Sequence, residues 1–276
     1  MKIALIQLEC GSDIEMNVER GLKAAREAAD NGAAIISFPE LSFQPFYPRN
    51  PAEGNVLDLA LPVPGPITES FSDLASETAT VIILNIFERD GDKTYDTTAV
   101  IDNSGEIAGR TRMIHITDYS GFHEKGYYLP GNLGPGVFET ARGRIGIAIC
   151  YDRHYPEYMR ALSLMGAEIV FVPQAGVSGE WPPGLYEAEM RVASFQNGYY
   201  SALCNRVGME GDLNFSGESF VSSPAGEVLA RAAEGSEDIL YCKVDLGALN
   251  DYHAHQLFLR DRRPELYRKW FGERER

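Results

Sequence analysis

The chain has 276 residues, with 25 Lys and Arg against 40 Asp and Glu, and a formal net charge of −15 at neutral pH. With 44% hydrophobic and 24% charged residues it has a globular rather than a disordered composition. The acidic balance leaves no basic stripe for phosphate neutralisation and argues against nucleic-acid binding. No apolar run approaches the roughly 20 residues of a membrane span. The opening segment turns acidic too soon for a signal peptide, so the four cysteines (Cys10, Cys150, Cys204, Cys242) are expected to be reduced thiols in the cytoplasm.

Read in chain order, strands and helices alternate. Ile3 to Leu8 is strand-like; Val18, Leu22, Ala25 and Ala29 then recur at helical spacing up to an Asn31-Gly32 stop. Ala33 to Phe38 is a second apolar run, closed by Pro39-Glu40-Leu41. A long loop from Ser42 to about Gly65 follows, and loops of that length usually serve function. Ile67 to Ala79 reads as a helix, and Val81–Phe87 with Thr97–Ile101 as a hairpin around Asp90-Gly91-Asp92. The pattern then repeats: a strand over 143–150, a helix over 156–165, a strand over 168–172, a helix over 187–197, and strands near 199–204, 218–221 and 239–244. Two similar α/β halves with no Gly/Ser linker predict a single domain over 1–276, with helices covering the outer faces of the sheets. The polar, Arg-rich segment 251–276 reads as a docking tail that forms an interface.

Several polar residues fall where apolar strands end, which in α/β sheets is where loops hold side chains over the sheet edge. Glu40, Cys150, Gln174 and Asn205 are the four. Taken singly, Cys150 reads as a small core hydrophobe and Glu40 as a capping carboxylate. Taken together at equivalent points of two halves, they read as a cysteine nucleophile and a carboxylate base.

Five segments carry a family resemblance: Ile36-Ser37-Phe38-Pro39-Glu40-Leu41, Phe122-His123-Glu124-Lys125, Gly146-Ile147-Ala148-Ile149-Cys150-Tyr151-Asp152, Pro156-Glu157 and Asn205-Arg206-Val207-Gly208. In this order they resemble the nitrilase superfamily of carbon–nitrogen hydrolases. The resemblance implies a four-layer α-β-β-α sandwich that pairs into a homodimer or larger homo-oligomer. It makes Glu40 the general base, Cys150 the nucleophile that forms a thioester, and Glu124 the second glutamate that positions substrate. It also gives the backbone N–H of Tyr151 an oxyanion-holding role that needs no particular side chain.

One position departs from the family pattern. The chain has only six lysines (Lys2, Lys23, Lys93, Lys125, Lys243, Lys269), and Met113 stands where the family carries its catalytic lysine in the segment Gly109-Arg110-Thr111-Arg112-Met113-Ile114-His115. Sliding that segment by one residue puts Arg112 in the lysine's place but costs His115 its match. A free thiol with a pKa of about 8.5 is only a few per cent thiolate at neutral pH unless a cation helps, and a thioether donates nothing. Three explanations stand: a weakened or non-catalytic homologue that binds a small molecule or partner, a substitute cation (Arg112 or Lys125), or a deliberate replacement.

The segment Cys150-Tyr151-Asp152-Arg153-His154-Tyr155-Pro156-Glu157 resembles members acting on N-carbamoyl amino acids, where the arginine pairs with a substrate carboxylate. An Arg153–Glu structural pair is the equal alternative. Tyr151, Arg153, Gln174 and Tyr47 are the expected substrate contacts, with Phe43, Phe46 and the Trp181-Pro182-Pro183 segment also expected around the pocket. His253 and His255 lack further metal ligands at suitable spacing. No phosphate loop, dinucleotide fingerprint or serine elbow is present, so neither cofactor nor metal is implied. The expected partner is a small amide or N-carbamoyl substrate, not a nucleic acid or membrane.

Overall fold

The computed structural model describes residues 1–272. The first half supplies β1 (Lys2–Gln7), β2 (Ile35–Ser37), β3 (Val81–Asp90), β4 (Lys93–Ile101) and β5 (Ile107–Arg112), with α1 (Ile14–Asp30) and α2 (Pro66–Thr78) between them. The second half supplies β6 (Gly136–Thr140), β7 (Gly143–Ile147), β8 (Ile169–Gln174), β9 (Tyr200–Asn205), the hairpin β10 (Val207–Glu210) and β11 (Leu213–Ser216), then β12 (Phe220–Ser222) and β13 (Val228–Arg231). Its helices are α3 (Pro156–Leu164) and α4 (Leu185–Asn197). β14 (Asp238–Lys243) crosses back to pair antiparallel with β1, Lys2 opposite Lys243 and Gln7 opposite Asp238. Two six-stranded sheets result, ordered β14-β1-β2-β3-β4-β5 and β13-β12-β9-β8-β7-β6.

The core strands are buried on both faces, which is why they read as continuous apolar runs rather than alternating ones. Along β1, Ile3 and Leu5 point between the sheets while Ala4 and Ile6 point toward α1 and α2. Along β8, Ile169 and Phe171 face inward and Val170 and Val172 pack under α3 and α4. The layers are therefore α-β-β-α. The parallel trios β1-β2-β3 and β7-β8-β9 aim their carboxyl ends at the same region between the sheets.

The sequence pattern does not reveal β5, β6, β13 or the β10–β11 hairpin. Three of these are sheet edges, where one flank has no partner and charged residues break the apolar run. The tail is more than a docking strap. Ala254 is buried in a single π-helical turn, Ala254–Phe258, where His255 Nε2 lies 2.8 Å from the Gly198 carbonyl oxygen at the end of α4. α5 (Pro264–Phe271) follows, and residues 273–276 of the expected tail lie outside the described residues. Among the described residues no helix is long and apolar enough to cross a membrane.

Candidate active site

Glu40 and Cys150 each lie three residues beyond the end of a strand, β2 and β7 respectively, in the two halves. Cys150 has φ +40, a left-handed conformation that a non-glycine residue adopts only when its surroundings impose it. This kink starts a helical turn (Cys150–His154) and leaves the sulfur within reach of the Ala175 N–H. Arg153 Nη1 braces the turn from behind, donating to the Cys150 carbonyl at 2.8 Å and to Gln174 Oε1 at 2.6 Å. Asp152, fully buried, accepts the backbone N–H of His115 at 3.0 Å and contacts its ring at 2.6 Å. The His115 ring stacks on Tyr155 with centroids 3.5 Å apart, tying the Met113 segment to the nucleophile's turn.

Glu40 is fully buried and lies within hydrogen-bonding reach of both Cys150 and Asp96. Its backbone is fixed from two sides. Arg206 Nη1 donates to the Glu40 carbonyl at 2.9 Å and also to the Leu41 carbonyl, while Asn85 Oδ1 accepts the Leu41 N–H at 2.8 Å. Asn85 then donates through Nδ2 to Asp96 Oδ1 at 2.6 Å. Glu124 completes the group, its Oε2 accepting the Thr117 N–H at 3.1 Å.

Three buried carboxyls thus gather beside one thiol. Burial, and then the charge of Glu124, push the Glu40 pKa up to about 7, against smaller lowering contacts from Asp96, Cys150 and Arg206. Burial likewise holds Asp96 and Glu124 well above the usual carboxylate range. Burial and the Glu40 charge hold the Cys150 thiol well above its ordinary value, with Arg153 pulling the other way. The thiol is therefore not a preformed thiolate, and its proton must leave as it attacks.

Met113 is fully buried in the same inner cluster as Cys150. Of the two substitute cations considered from sequence, one is committed elsewhere and the other is exposed. Arg112 is locked by Glu88 (2.7 and 2.8 Å), Asp90 (2.8 Å) and Asn132 (2.8 Å) and lies over the Tyr95 ring. Lys125 is exposed. The buried guanidinium that lowers Glu40 is Arg206 instead.

The mouth is built of polar aromatics. Tyr119 and Tyr186 both donate to Glu180, Trp181 lies edge-on to His154 with centroids 5.3 Å apart, and Tyr151 packs beside His154 at 5.0 Å. Tyr47 is half-buried against Phe87. Two aromatics expected at the pocket pack elsewhere: Phe43 joins Phe38 and Phe71 beneath α1 and α2, and Phe46 sits in the inner core against Phe122 and Phe215. Of the two readings of Arg153, the structure displays the structural pair, with Nε 3.4 Å from Glu189. Asp96, Asn85, Glu180 and Tyr119 escape the sequence reading. The signal for the first two was Asn85 inside the apolar stretch 81–87 and Asp96 among the tyrosine and threonines of β4.

The carbon–nitrogen hydrolase family model matches residues 2–254. The chain belongs to the carbon–nitrogen hydrolase family. It is 34% identical over 280 residues to an N-carbamoylputrescine amidase of Solanum lycopersicum, covering 96% of this chain and 93% of that protein. It is 32% identical over 278 residues to a citrullinase of Francisella tularensis subsp. tularensis, covering 97% and 96%. A crystal structure of a carbon–nitrogen hydrolase from Helicobacter pylori G27 superposes with a TM-score of 0.91 at 29% identity, over 99% of both chains. The relatives favour a working carbon–nitrogen hydrolase over a binding-only homologue, and the four-layer sandwich is the fold of these neighbours.

Proposed function

We propose that this carbon–nitrogen hydrolase cleaves a small N-carbamoyl compound or amide through a thioester on Cys150, with Glu40 as base. The observation that carries the reading is the fully buried Glu40 carboxyl, without a donor of its own among the described residues, set beside the kinked Cys150 thiol. Glu40 takes the thiol proton as Sγ bonds to the substrate carbonyl carbon, and the Tyr151 N–H is the donor assigned to the oxygen. The C–N bond breaks as Glu40 returns the proton to the leaving nitrogen. Water then attacks the thioester, gives its proton to Glu40, and the C–S bond breaks to free the thiol. Glu124, whose burial favours the protonated form, orients the substrate's amide or ureide group.

Substrate choice follows from the mouth. Glu180 presents a carboxylate shared by two tyrosine hydroxyls beside an indole ring. That arrangement suits a cationic far end, through charge and ring faces together. Arg153 is engaged through Nη1 by Cys150 and Gln174 and lies 3.4 Å from Glu189, while its buried Nη2 meets no partner among the described residues, so it keeps one donor for a polar substrate group. We therefore rank the substrates with a cationic far end, N-carbamoylputrescine and citrulline, above 3-ureidopropionate. We further read the chain as one cytoplasmic domain that assembles into a homodimer or larger. Supporting this, Leu164, Phe258, Trp270 and Phe271 are exposed together around the groove between α3 and α5.

Intact-mass spectrometry with these three compounds, a simple aliphatic amide and a nitrile tests the reading. The expected result is a transient thioester adduct and ammonia release, both lost in Cys150→Ala. No adduct and no ammonia from any of the five overturns it.

A further inference from the structure

The site has a base but no lysine to hold it ionised, and its geometry offers a replacement. β4 runs beside the Met113 segment, and the Met113 N–H donates to the Asp96 carbonyl at 2.9 Å, so Asp96 is the cross-strand neighbour of the lysine-less position. Neither Glu40 oxygen meets an N–H or hydroxyl donor among the described residues. Asp96 uses Oδ1 to accept from Asn85 at 2.6 Å, and its Oδ2 meets no donor either. Both carboxyls are fully buried and lie within hydrogen-bonding reach of each other. Two facing carboxylates repel; two facing carboxyls with one proton between them make a strong, short-range bond.

We propose that Asp96 is a positioning residue that carries a proton and donates it to the Glu40 carboxylate, holding Glu40 ionised and aimed at Cys150 without a lysine. The proposal rests on the reading of Cys150 as nucleophile and Glu40 as base. The charged and titratable groups around the pair agree on which carboxyl keeps the proton. Arg206 faces Glu40 and favours its ionised form. Asp96 feels the charge of Asp152 in addition to that of Glu40, and both favour its protonated form. Glu124, Cys150 and the Tyr128 hydroxyl complete the surroundings. During attack the thiol proton moves to Glu40 and the proton on Asp96 stays where it is. Asp96 touches neither sulfur nor substrate; it acts through Glu40.

The test needs no turnover. Alkylation of Cys150 by iodoacetamide is followed by intact mass across pH, with Cys150→Ala as the control for site. The acid limb reports ionisation of Glu40 and should vanish in Glu40→Gln. Asp96→Leu, which removes the donor, should move that limb to higher pH by about one unit or more, because a carboxylate loses the hydrogen bond that favoured it. Asp96→Asn still donates through its amide and should keep the limb close to that of the natural protein. Infrared spectra of the unmodified protein at neutral pH should show protonated-carboxyl absorption that falls by one carboxyl in Asp96→Asn, with Glu124 supplying the remainder. A limb unmoved by Asp96→Leu, a limb moved equally by both variants, or protonated-carboxyl absorption left unchanged by Asp96→Asn overturns the proposal. If Glu40→Gln abolishes the limb in that case, the base assignment stands alone; if Glu40→Gln leaves it, both fall.

Discussion

Met113 puts a buried apolar side chain on the strand end that pairs with Asp96, one of three buried carboxyls at the site. An ammonium within about 4–6 Å of a carboxyl lowers its pKa by about 1–3 units, and an added oxyanion donor is worth on the order of 10²–10³ in rate. Met113→Lys should therefore move the acid limb of kcat/KM to lower pH and raise kcat, with Asp96 giving up its proton to pair with the new cation. A pH–rate profile of the variant that overlays that of the natural protein would show that residue 113 does not face Glu40. The residue scale is also where the sequence was most legible for chemistry. Cys150 and Glu40 stand at strand ends in matching positions of two halves, a pattern visible without coordinates. What stayed hidden was partnership: Arg112 looks available in sequence, and only the fold shows it clamped by Glu88 and Asp90.

At the scale of elements, Asn85 joins three of them. It sits in β3, accepts the Leu41 N–H from the turn after β2, and donates across to Asp96 and Thr98 on β4. Asn85→Ala leaves a buried N–H and a buried carboxyl oxygen without partners, each costing about 1–3 kcal/mol. The expected loss is roughly 2–5 kcal/mol in urea unfolding together with a fall in kcat, because the turn that carries Glu40 loses a tether. A variant as stable as the natural protein would show that water replaces the amide. Elements were legible in proportion to burial. The central strands declared themselves by their apolar runs, whereas β5 and β13 hid because their edge positions admit Arg110, Arg112 and Arg231. The helix α4 starts at Leu185 after a left-handed Gly184, a boundary that apolar periodicity alone does not mark.

For the whole molecule, the acidic surplus acts inside the fold as well as on its surface. A glutamate in the unfolded chain ionises near pH 4.3, whereas Glu40 in the folded protein does so at about 7. The folded state therefore binds this proton more tightly. Its contribution to stability is fully present below about pH 4 and is lost as pH rises through about 7. The shift from 4.5 to about 7 corresponds to roughly 3 kcal/mol. The molecule accepts this cost at its active site because two extensive sheets and their helices stabilise the rest. Glu40→Gln removes the titration without changing the shape of the side chain. Urea unfolding of the two proteins at about pH 4 and about pH 8 should show their difference growing by roughly 3 kcal/mol in favour of the variant. Parallel curves across that range would mean that Glu40 ionises in the folded protein as it does in the unfolded chain, its burial offset by a counter-charge. The carboxyl cluster would then owe its stability to Arg206 rather than to Asp96.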